Sequence, residues 1–129
     1  MSQTDIELLR AGYEAVNRGE RDLAFRDAHP DFELKTADRV TNPGTYRGRE
    51  DTLAFLDDLF EAFEEVRTEP EEFFDHGDRN VAFVVVRSRP KGSSAFVENR
   101  IAHVWTMRDG KVARLEIFPE REKALEAVG

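Results

Sequence analysis

His103 and Glu116 stand on either side of a two-residue turn in the stretch HVWTMRDGKVARLEIF, and together they are the best-placed proton-transfer pair in the chain. If Asp109-Gly110 forms a type I′ hairpin turn, equal counting along the two arms sets His103 opposite Glu116, Trp105 opposite Arg114 and Ile101 opposite Phe118. A carboxylate in that position would favour the imidazolium and raise the histidine pKa. The pair has two readings, a catalytic dyad or a structural or interface pair, and the spacing favours the second. A one-residue slip would exchange the two faces of the strand and reverse that preference.

A second polar group lies on the preceding hairpin. With Lys91–Ser94 as its loop, Arg87 falls opposite Glu98 and Arg100 opposite Val85. On a concave sheet face, Arg100 and Arg87 would offer planar donor forks to a carboxylate, phosphate or enolate oxygen. On a surface, the same three residues would be an ion network worth little. Tyr13, on the first helix, could present its hydroxyl to that cavity, although a core ring with its OH at the rim is the simpler state. Asp38, in a long loop near the expected pocket mouth, would serve as a base if the loop folds inward. His29 and His76 sit in turns without a second ligand at metal spacing, and cysteine is absent. No metal or cofactor is expected, and thiol chemistry and disulfides are excluded.

These groups need elements to hold them. Ile6, Leu9, Tyr13 and Val16 recur at helical spacing behind the capping-box pattern Thr4-x-x-Glu7, predicting a helix over 5–17 that stops at Gly19. A short helix over 22–28, a strand at DFELK and a loop through TADRVTNPGTYRG follow. A third helix begins after Gly48, with Leu53, Leu56, Leu59, Phe60 and Phe63 as its apolar stripe. Strands are then expected over 66–74, 80–89, 95–107 and 111–118, and a closing helix opening at Pro119. Helices first and an antiparallel meander afterwards is an α+β arrangement, with the helices on one face of the sheet.

At 129 residues, this is one domain, residues 1–129, with a single core. The net charge of −8 and the lack of a basic block argue against nucleic acid. No apolar run approaches membrane-spanning length, and the start MSQTDIELLR lacks the pattern of a secretion signal, so a cytoplasmic protein is expected.

The element order resembles the nuclear transport factor 2-like superfamily, the cone-shaped fold of ketosteroid isomerase and the SnoaL-like polyketide cyclases. The matches are AVNRGERDLAF after helix one, GTYRGREDTLAFL leading into helix three, and the tail from His103 to Gly129. The resemblance covers nearly the whole chain, but its named chemistries do not carry over. Counted from the shared N-x-G, the isomerase base position falls on Thr36 and the tyrosine position on Gly12, beside Tyr13. Counted from His103, the aspartic acid position falls on Ala102. The R-x-D of limonene epoxide hydrolases is here Arg100-Ile101-Ala102, without its carboxylate. SnoaL-type cyclases do use acid–base side chains on this sheet.

The matching parity in the isomerases would turn Ala102, Val104, Thr106, Ala113, Leu115 and Ile117 inward. Ile101, His103, Trp105, Met107 and Phe118 would then form an outer stripe, which burial in a homodimer would explain. The expectation is a cone whose apolar pocket binds a small organic ligand, with cofactor-free isomerase- or cyclase-like chemistry if it is an enzyme. The alternative is a non-catalytic dimerisation or carrier module whose cavity is filled by its own side chains.

Overall fold

The computed structural model describes residues 3–36 and 44–129. In chain order the elements are α1 (Gln3–Asn17), α2 (Arg21–Ala24), β1 (Glu33–Thr36), β2 (Thr45–Arg47), α3 (Gly48–Glu61), β3 (Phe63–His76), β4 (Arg79–Pro90), β5 (Val97–Arg108), β6 (Lys111–Phe118) and α4 (Arg121–Val128). The strands form one sheet in the order β2-β1-β6-β5-β4-β3, antiparallel throughout except where β1 runs parallel to β6. The α+β cone is the expected architecture, with local differences: α2 ends at Ala24 rather than at residue 28, and Phe63, expected on the third helix, opens β3. Thr45–Arg47 pairs with β1 rather than looping, because Tyr46 packs on Phe55 with ring centroids 4.4 Å apart. The last helix begins at Arg121, two residues after Pro119.

Bulges bend the sheet around the helices, two in β3 and one in β6. Pro70 lies at one of them, on an edge strand that can spare its N–H. The concave face packs Leu34, Ala82, Val84, Trp105 and Leu115 against Leu9 and Tyr13 of α1 and Phe55 and Leu56 of α3. Leu9 and Tyr13 are four residues apart and so share one helix face. Gly19 ends the segment with φ 83°, a conformation that costs glycine little. The convex face packs Val81, Ala102 and Val104 under Ala124 of α4.

The β5–β6 hairpin overturns the expected register. Asp109 (φ 56°) and Gly110 (φ 73°) do make the left-handed pair of a two-residue turn, and Met107 stands opposite Val112 as counted. Ala113 is then an extra residue on β6. Beyond it Trp105 pairs with Leu115, His103 with Ile117 and Val104 with Glu116. His103 and Glu116 are therefore not partners. Glu116 lies instead beside Arg114, 3.6 Å away.

The bulge lets Val112, Leu115 and Ile117 share a face with Met107, Trp105 and His103, which a strict two-residue period forbids. His103, Trp105 and Met107 are each 8% exposed, in the concave wall. The stripe read as a dimer interface is thus the inside of the cone, apart from Phe118, which packs on the convex face. Ala102 and Val104, expected inside, lie beneath α4.

Candidate functional site

Between the concave face and α1, α2 and α3 lies a cavity of about 590 Å³. Its walls are mostly aliphatic and aromatic: Leu9, Phe25, Phe55, Ile101, Leu115 and Ile117 all contribute. Exposed Arg18, Arg26 and Asp27 mark the side on which it opens. The cone is therefore not filled by its own side chains. Thr36, Thr68, Tyr13, His103 and Trp105 are the polar-atom-bearing buried residues of the lining.

Three of these form one hydrogen-bonded chain. The Trp105 indole Nε1–H donates to the Tyr13 hydroxyl oxygen at 2.9 Å, and that hydroxyl lies 2.7 Å from Nδ1 of His103. The Tyr13 and His103 ring planes are within 7° of parallel, while Trp105 stands edge-on to Tyr13. The Asn17 side chain fixes where the end of α1 lies on the sheet. Asn17 accepts from the Thr68 N–H at 2.8 Å and donates to the Thr68 carbonyl at 2.9 Å, tying the end of α1 to β3. Tyr13, one turn earlier on α1, is thereby held over His103 and Trp105, alternate residues of one strand face.

Burial sets the protonation of the chain. It lowers the His103 pKa from the ordinary imidazole value to about 4, leaving the ring neutral at pH 7. It also pushes the Tyr13 phenol up, with the Trp105 hydrogen bond opposing in part. The expectation of a histidine raised by Glu116 is reversed, because the carboxylate is on the other face and desolvation alone remains.

The arginines expected in the pocket are elsewhere. Arg87 does stand opposite Glu98, and Arg100 opposite Val85, but these residues share the convex face with Phe83 and Ala102. Arg100 donates to both carboxylate oxygens of Glu71, at 3.1 and 3.2 Å. Arg121 of α4 joins it there, 2.8 Å from the same Glu71, and holds the Glu71 carboxyl below the usual carboxylate range. Arg87 lies over the Phe96 ring, and Glu98 is exposed. None of the three reaches the cavity.

Asp38 lies outside the described residues. Tyr13 is in the cavity wall as expected, but its hydroxyl is bonded on both sides rather than free at a rim. Ala102, the position counted for a catalytic aspartic acid, faces α4; the cavity-facing positions of β5 are Ile101, His103 and Trp105. Trp105 is the member that counting missed. Its signal was its place two residues from His103 in an apolar alternation, the pattern of a buried face. Among the described residues, no three His, Asp or Glu side chains are grouped to hold a metal ion, and no helix is long and apolar enough to cross a membrane.

The fold is shared with solved structures over their full lengths. TerC, crystallised with polyporic acid, is 26% identical, with 98% of each chain covered and a TM-score of 0.82. An NTF2-like protein of unknown function from Burkholderia pseudomallei is 22% identical, covering 99% of this chain and 98% of that one, at a TM-score of 0.82. Bal32a, from a soil-derived mobile gene cassette, is 17% identical over 98% of each chain, at 0.79. No curated protein matches the sequence. The SnoaL-like domain model matches residues 9–115, and the chain belongs to that family.

Proposed function

We propose that this SnoaL-like domain binds a small, mostly apolar organic molecule in its cone cavity, with His103 as the polar contact. The observation that carries this reading is the cavity itself: about 590 Å³, apolar over most of its wall and interrupted by one buried, neutral imidazole. Ligand sites commonly have this make-up and this size. The likeness to TerC, which was crystallised with polyporic acid, supports an organic ligand of comparable kind. Isomerase- or cyclase-like chemistry would further require a base. Among the described lining residues the only carboxylate is Asp27, exposed where the cavity opens. A histidine with a pKa near 4 is itself a weak base at neutral pH. Binding is accordingly the function supported best.

Trp105 is the only tryptophan of the chain, so its emission reports on the cavity directly. Titration with tetralin, a bicyclic hydrocarbon, should change that emission saturably. Ile117→Phe, which narrows the cavity, should weaken the effect. A change that rises linearly without saturation, equal in both proteins, would overturn the reading.

A further inference from the structure

Trp105, Tyr13 and His103 form a chain whose direction is fixed at one end. An indole N–H can only donate, and it donates to the Tyr13 oxygen. The tyrosine hydroxyl has a single hydrogen of its own. His103 Nδ1, at 2.7 Å, is the hydroxyl's other hydrogen-bonding neighbour among the described residues, so that hydrogen points at Nδ1. The opposite arrangement, with Nδ1 protonated, would aim two donors at the phenol oxygen and leave a buried hydroxyl hydrogen without an acceptor. That incurs the full desolvation cost of an unmade bond.

With Nδ1 as acceptor and the ring neutral, the imidazole proton sits on Nε2. Nε2 has no hydrogen-bond partner among the described residues. It is also not one of the fully occluded unpaired atoms, which are confined to Asn80 and Arg114. The surface it retains lies on a residue of the cavity wall.

We infer that the Trp105–Tyr13–His103 chain makes His103 Nε2–H a fixed hydrogen-bond donor into the cavity, so that the cavity selects molecules bearing an acceptor oxygen. The class is an apolar ring system with a ketone or quinone carbonyl or an ionised enol or phenol oxygen, as opposed to one whose only polar group is a donor. This rests on the binding reading above. Tyr13 and Trp105 are positioning residues: they touch His103 and each other, and set which nitrogen carries the proton.

Two measurements separate this inference from the reading it rests on. The first is the ¹⁵N spectrum of the histidine rings in the whole protein near pH 7, with His103 assigned by the signal lost in His103→Gln. Wild type should show Nε2 protonated and Nδ1 bare and hydrogen-bonded, and Tyr13→Phe should shift both signals as Nδ1 loses its donor. A protonated Nδ1 in wild type would overturn the inference without any ligand or variant.

The second measurement compares 1-tetralone with tetralin, the same skeleton with and without a carbonyl. The ratio of their affinities should favour the ketone about three- to tenfold more in wild type than in His103→Phe. An unchanged ratio, with both compounds bound, would sink the acceptor preference while leaving the binding reading intact. Binding of neither would remove the binding reading, and the tautomer spectrum would still decide the direction of the chain.

Discussion

The Tyr13 hydroxyl lies 2.7 Å from Nδ1 of His103, joining residues ninety positions apart on α1 and β5. It is also 2.9 Å from the Trp105 indole nitrogen, so one phenol joins these two side chains of β5. No carboxylate enters this group. What distinguishes the cavity wall is a neutral imidazole held by two aromatic partners, and its consequences are measurable.

His103 should make the protein acid-sensitive over a defined interval. Its folded pKa is about 4, below that of a free imidazole. Between about pH 6.5 and pH 4 the unfolded chain therefore binds a proton that the folded chain does not. Stability should fall as pH drops through that window and level off, for this group, below it. The contribution is bounded at about 3 kcal/mol. Urea unfolding across this range should show a steeper loss in wild type than in His103→Gln; parallel curves would refute a buried neutral ring.

Arg100 and Arg121 should separate cleanly. Arg100→Ala breaks an exposed pair with Glu71 and should change stability by less than about 0.5 kcal/mol, leaving tetralin binding unaltered. Arg121 is more enclosed. It donates to the carbonyls of Ile101 at 3.2 Å and Val84 at 3.1 Å, and lies over the Phe83 ring. Arg121→Ala should lower stability by about 1–2 kcal/mol through loss of charged hydrogen bonds to backbone. Thermal unfolding of the two variants side by side tests the convex placement, and an Arg100→Ala that abolishes binding would contradict it.

Deleting Ala113 tests the hairpin register. Without the extra residue, Arg114, Leu115, Glu116 and Ile117 follow Val112 in strict alternation opposite Thr106, Trp105, Val104 and His103, so every side chain keeps its face. Because no charge moves inward, the deletion should cost about 1–3 kcal/mol and leave unfolding cooperative, and loss of the cooperative transition would contradict the bulge. Ala113→Gly keeps the count and should cost about 1 kcal/mol or less. Circular dichroism melts distinguish the outcomes.

Asn80 is fully buried on β4, and neither its amide nitrogen nor its oxygen has a hydrogen-bond partner among the described residues. Replacing it by leucine, which has the same side-chain branching and heavy-atom count, removes two unpaired polar atoms. The variant should be more stable by about 1 kcal/mol or more. Chemical denaturation decides the sign.

Much of the architecture was legible in the chain. The helical spacing of Leu9 and Tyr13, the Asp109-Gly110 turn and the register Arg87–Glu98 all follow from local rules. Periodicity and turn chemistry act within a few residues, and those rules held there. The element order was likewise enough to recognise the family. The pair Arg100–Val85 was also counted correctly, yet its side chain faces away from the cavity.

Register alone does not say which side of a sheet receives the helices. That depends on where α1, α3 and α4 dock, a matter of long-range packing. Ala113 is the sharper case. An alanine carries no mark of a bulge, and whether β6 accommodates one is decided by how Leu115 and Ile117 pack with Trp105 and His103 at once. The sequence by itself determined the four long strands of the meander and the turns between them. Tertiary structure decided which face became the cavity, and so brought His103 to Tyr13 instead of Glu116, because a one-residue shift in a two-residue period exchanges inside and outside.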